Sequence, residues 1–156
     1  MITMNRVMMV LGYLGLVPFC LGLGLVITDK ELVNIEGHVL FVTYSAVILS
    51  FLSGVLWGRS IEKLNRSLTL ILSNVFAILA WVSLLQVEES ITVALLLLMA
   101  GYVCVLVTEY PSNFSRYQHP STSHKSTSLA NLAPYSKMRV ILTSVVLMMH
   151  LILFLI

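Results

Sequence analysis

Apolar positions in this chain run on without the polar interruptions of a helix that faces water. Five such runs, at 7–27, 38–57, 68–85, 91–108 and 140–156, are separated by short polar stretches and one long one. A hydrocarbon core of ~30 Å takes ~20 helical residues at 1.5 Å each, so every run is long enough to cross it. None shows the period-two alternation of a barrel strand, and a helix closes its backbone hydrogen bonds internally, as lipid demands. The expected fold class is therefore all-α, a polytopic membrane protein with five transmembrane helices forming one domain over 1–156. The first run follows a single basic residue, but it is too long for a signal-peptide core and no small-x-small cleavage pattern follows, so it is read as a span. Pro18 and Phe19 before Cys20 likewise do not fit a lipoprotein signal.

Composition agrees with the pattern. The chain is 58% hydrophobic and 10% charged, against roughly 25% charged for soluble domains. Cys20 and Cys104 both fall within spans, where packed thiols are expected and a disulfide is not.

Charge then supplies an orientation. Arg6 precedes the first span, Arg59, Lys63 and Arg66 lie between the second and third, and Arg116, Lys125, Lys137 and Arg139 precede the fifth. Lys30 alone falls on the opposite side, whose two loops hold Asp29, Glu31, Glu36, Glu88 and Glu89. Under the positive-inside rule the N-terminus is cytoplasmic and the C-terminus outside, with the acidic residues forming a rim on the outer face. Residues 109–137 carry three prolines and nine Ser or Thr residues. That composition predicts a flexible cytoplasmic loop, with Tyr110, Phe114, Tyr117 and Tyr135 as anchors at headgroup level.

Lipid tails remove the hydrophobic drive between helices, so contact faces are read from small residues. Gly12, Gly15, Phe19 and Gly22 share a face in the first span. Thr43, Ala46, Ser50, Ser53, Gly54 and Trp57 do so in the second, Ser73, Ala77 and Ala80 in the third, and Gly101, Cys104 and Thr108 in the fourth. Pro18, between glycines, predicts a bend where its missing N–H frees the carbonyl of Leu14.

Several stretches carry a resemblance: LGYLGLVPF at 11–19, YSAVILSFLSGVLWG at 44–58, the AWVSLL of the third span and LAPYSKMRVILT before the fifth. In order and over nearly the whole chain they resemble an uncharacterised bacterial inner-membrane family of five-span proteins that includes mitochondrial transmembrane protein sixty-nine. The family's second-span signature is kept at Ala46 to Leu52, Gly54, Trp57 and Gly58, but Ser53 replaces a glycine and Leu56 stands where the family commonly has histidine. The resemblance implies a multi-pass inner-membrane protein and leans toward envelope maintenance.

Candidate chemistry is sparse. His150 is the one ionisable residue deep in a span, and an intramembrane ionisable group is a functional suspect. No acidic or basic partner shares its depth, so the expected environment is a neutral hydrogen bond to Asn74, a serine or Tyr102. Asn74 needs partners of its own and is expected to face protein. Together the two could line the path of a small oligomeric transporter. Glu36 and His38, with Glu88 and Glu89, could hold Zn²⁺ or another divalent cation at the outer rim. Arg59, Lys63 and Arg66, near Lys137 and Arg139, could seat lipid headgroups. A lipid-modifying enzyme would need a nucleophile and base, and no such pair is evident. The reading is a non-enzymatic membrane protein whose partners are lipids and membrane proteins, a second copy included, with no nucleic acid.

Overall fold

The computed structural model describes residues 4–61, 67–114 and 132–156. In order they form α1 (Met4–Leu14), α2 (Val17–Ile27), β1 (Glu31–Leu32), β2 (Ile35–Glu36), α3 (Gly37–Ile61), α4 (Ser67–Leu85), α5 (Ile91–Phe114) and α6 (Leu132–Leu155). The five apolar runs are helical, and five segments are long and apolar enough to cross a membrane. The helices outlast the apolar runs: α3 continues to Ile61, α5 to Phe114, and α6 begins at Leu132. Both ends of the expected loop at 109–137 are therefore helix. The remainder of that loop, 115–131, lies outside the described residues, as do Lys63, Arg66 and the side chains of Tyr110, Phe114 and Tyr135.

Pro18 breaks the first span more sharply than a bend. It occupies the first turn of α2, where its missing N–H costs least. The chain passes from α1 to α2 through a turn at Gly15 and Leu16, tightened by a bond from Leu16 N–H to the Tyr13 carbonyl at 3.0 Å. Tyr44 of α3 donates its hydroxyl to the Gly15 carbonyl at 3.0 Å, satisfying backbone that the broken helix leaves open.

A two-stranded hairpin between α2 and α3 was not legible beforehand. Glu31 pairs with Glu36 and Leu32 with Ile35 around Val33 and Asn34, which hold φ of 54° and 59°. Two left-handed residues in a two-residue loop match strand twist, but Val33 is β-branched and strained there. The chain then re-enters the bundle at Gly37. A Cβ at Gly37 would lie 2.7 Å from the Val26 nitrogen, and one at Gly22 would lie 3.1 Å from the Phe41 nitrogen. Glycine at both positions lets α2 and α3 meet backbone to backbone.

The central helix is α3, packed against α2, α4 and α5, while α6 closes the bundle against α5, α2 and α1. The buried stripe of α3 runs through Ser45, Ala46, Leu49, Ser53 and Leu56. Ala46 and Ser53 thus face the bundle as expected, but Thr43, Ser50, Gly54 and Trp57 are exposed on the lipid side, and a Cβ at Gly54 would meet nothing within 4 Å. Small size permits close approach without saying to what. The inward stripe is chosen by larger fits, such as Leu49 against Gly101 of α5. In the other spans Phe19, Gly22, Ser73, Ala80 and Gly101 are buried, and Gly12, Gly15, Ala77 and Thr108 are half-buried. Cys20 and Cys104, expected as packed thiols, stand exposed on the outside of the bundle.

Candidate functional site

Two polar clusters lie inside the bundle, at different heights. The first gathers on His150. Its Nδ1 lies 2.8 Å from the Val146 carbonyl one turn back on α6. A carbonyl only accepts, so that nitrogen carries the proton and Nε2 is left as an acceptor. The Ser45 hydroxyl of α3 donates to Nε2 at 2.8 Å. Tyr102 of α5 completes the set, donating its own hydroxyl to the Ser45 carbonyl at 2.9 Å, with the two hydroxyl oxygens 3.3 Å apart. Three helices are joined by uncharged groups, and the rings of Phe41, Tyr102 and Phe19 surround the imidazole at 4.8, 5.6 and 6.1 Å between centroids. Of the hydrogen-bond partners expected for His150, a serine is present, while Tyr102 meets it only as a ring and bonds Ser45 instead, and Asn74 lies elsewhere.

Ser45 and His150 therefore form a hydroxyl and imidazole pair that sequence spacing, at 105 residues apart, gave no means of seeing. The contact resembles a nucleophile beside its base. Its surroundings do not fit that task, since both residues are 0% exposed and Ser45 shares its hydrogen-bonding groups with Tyr102. Among the described residues every buried side-chain nitrogen or oxygen has at least one hydrogen-bond partner, so the polar groups of the cluster are satisfied by one another. The arrangement serves as an interhelical clamp.

The second cluster is charged. Glu109, near the end of α5, has a side chain only 5% exposed. Its Oε1 accepts from Arg139 Nη2 at 3.1 Å and from Arg59 Nη1 at 3.4 Å, and its Oε2 accepts from Arg139 Nε at 3.3 Å. One carboxylate thus ties α3, α5 and α6 through two guanidiniums, whose side chains are 32% and 15% exposed for Arg59 and Arg139. Arg59 and Arg139, two of the bases considered for lipid headgroups, meet on this common counter-ion, which the sequence reading did not name. Lys137 of the same set is exposed. An acid at the end of the fourth span, on the side that carries nearly all the bases, was the signal available.

Glu36 and His38 form a direct pair, Oε2 to Nδ1 at 3.1 Å, and Glu88 and Glu89 are exposed in the turn after α4. Among the described residues no group of three or more His, Cys, Asp or Glu side chains is placed to hold a metal ion. Asn74, expected against protein, is exposed on α4 and donates Nδ2 to the Leu70 carbonyl of its own helix at 3.0 Å. A serine-like bond back to the preceding turn satisfies one N–H where no neighbouring helix offers a partner. The structure accordingly does not bring His150 and Asn74 together. Leu56, at the position of the family histidine, is buried in the core at 3% exposure.

Five apolar helices around an uncharged hydrogen-bonded centre, with a charged clamp at one end, define a polytopic α-helical membrane protein. The chain belongs to the family described as protein of unknown function (DUF3429), whose model matches residues 4–155. It is also similar to transmembrane protein 69 of Xenopus tropicalis, with 37% identity over 120 residues, covering 67% of this chain and 44% of that protein. The chain thus spans less than half the length of the curated relative it matches. No solved structure matches it.

Proposed function

We propose that the protein is a non-catalytic component of the bacterial inner membrane, N-terminus in the cytoplasm, that supports envelope integrity through contacts with lipid headgroups and partner membrane proteins. The observation that carries this reading is the convergence of Arg59 and Arg139 on buried Glu109, at the end of the bundle from which Lys137 also projects. Guanidiniums held at the end of the spans, with Lys137 at the same end, favour anionic phosphates by about 1 kcal/mol each. The positive-inside rule supports placing that end in the cytoplasm. Sealing of Ser45 and His150 by aromatic rings supports a structural use of the core over a catalytic one.

The test is a strain lacking the protein, challenged with detergent and envelope-targeting antibiotics, then complemented with wild type or Arg139→Gln. Increased sensitivity, rescued by wild type and poorly by the variant at equal membrane abundance, is the expected result. Normal resistance without the protein would refute the envelope role. Labelling of purified protein by a fluorophosphonate, abolished by Ser45→Ala, would refute the non-catalytic one.

A further inference from the structure

Asn74 carries a side-chain amide that the described residues satisfy only in part. Asn74 lies seven residues into α4, about 10 Å from the helix start at Ser67, well within the apolar span. Its bond to Leu70 uses one N–H. The second N–H and the side-chain oxygen have no partner among the described residues, and the residue is exposed. Water is absent at that depth, and unpaired amide groups in hydrocarbon are costly.

Helical geometry places this amide beside the exposed row of small residues on α3. Gly54 lies seven residues before the end of α3 at Ile61, just as Asn74 lies seven after the start of α4, so the antiparallel pair sets them at matching depth. Leu79, on the flank of α4 turned from Asn74, reaches Gly101 of α5. Tyr44, on the flank of α3 turned from Ser50 and Gly54, bonds Gly15. With α5 and α2 on those outer flanks, Asn74 and the Ser50, Gly54, Gly58 row both open onto the lipid side of the α3 and α4 pair. Ser50, Gly54 and Gly58 recur every fourth residue, and a Cβ at either glycine would meet nothing within 4 Å.

We infer that this face docks a second copy of the chain about a two-fold axis. A carboxamide offers a donor and an acceptor, so two Asn74 side chains facing each other across the axis satisfy both reciprocally. A small residue at every fourth position likewise packs against its own copy, letting backbones approach. An isologous contact needs a self-complementary patch, and both features are self-complementary. The inference rests on the bundle alone and stands apart from the envelope role, because its test is made in liposomes.

Full-length protein, fluorescently labelled and reconstituted into phosphatidylethanolamine and phosphatidylglycerol vesicles, would be followed by single-molecule photobleaching over a range of dilutions. Dimers are expected for wild type, with dissociation at least tenfold easier for Asn74→Leu and for Gly54→Leu and unchanged for Val103→Ala on α5. Since Gly54 has open space beside it, thermal unfolding of the monomer should be unmoved, which separates association from folding. In a Cys20→Ala, Cys104→Ala background, Ser50→Cys should crosslink between copies. Monomers at every dilution, or dimers undisturbed by both Asn74→Leu and Gly54→Leu, would overturn the inference, as would a Ser50→Cys crosslink no stronger than that of Val103→Cys.

Discussion

Tyr102 and Glu109 lie seven residues apart on one buried face of α5, about 10 Å along its axis, and they anchor clusters of opposite electrical character. Around Tyr102 each donor meets a neutral acceptor, and the charge-bearing side chains are absent from the contacts of His150. Around Glu109 three side chains carry full charge, and two of them reach partly into solvent-accessible space. The difference teaches where dielectric changes along the bundle. Deep in the span a charge would be costly with no water to screen it, so polarity is spent on hydrogen bonds. Two turns further, charge becomes affordable and one acid can fasten two bases.

Breaking the charged cluster should cost most. Glu109→Gln leaves two guanidiniums without their counter-ion, and a loss of about 3 kcal/mol in unfolding free energy is expected, discounted for the partial exposure of Arg59. Denaturation of the purified protein in mixed micelles measures it.

The neutral cluster should yield less. His150→Ala opens a cavity and removes the acceptor of Ser45, for a loss of about 2 kcal/mol, whereas His150→Phe refills the volume and should cost about 1 kcal/mol because the Ser45 hydroxyl can turn to Tyr102. Tyr102→Phe removes one hydrogen bond, with about 1 kcal/mol expected by the same assay.

These two regions also differ in how far sequence could announce them. The spans themselves were legible because lipid leaves only one backbone solution for a long apolar run, although the first run is divided at Gly15 and Leu16 into two helices. Contact faces were harder, since inward and outward residues of a membrane helix are equally apolar. Gly54 and Ser50 have the size of packing residues, and nothing in size distinguishes contact within the chain from contact outside it. Bulk at Gly54, which the sequence reading would expect to disrupt the bundle, should therefore leave the monomer's stability unchanged. His150 was singled out by its rarity in a span, but Ser45 was not, because serines recur through α3 and only the fold selects one. The hairpin at 31–36 was missed because Val33 and Asn34 lack the glycine that usually marks such a turn.

Ionic strength offers a gentler contrast. Raising salt screens partly exposed charge and leaves buried neutral hydrogen bonds alone. The destabilisation by Glu109→Gln should shrink by a few tenths of a kcal/mol in high salt, with no change for Tyr102→Phe.

The proposed orientation puts the Glu109 cluster at the cytoplasmic boundary of the bundle and the acidic rim on the far side. Cysteine labelling in intact cells tests it directly, in the Cys20→Ala, Cys104→Ala background, with Lys137→Cys and Glu88→Cys, both at exposed positions. A membrane-impermeant maleimide added outside, once past any outer membrane, should modify Glu88→Cys, and should reach Lys137→Cys only after the cytoplasmic membrane is permeabilised. The reverse pattern would invert the orientation, and equal labelling of both in intact cells would contradict a bundle that separates them by a bilayer.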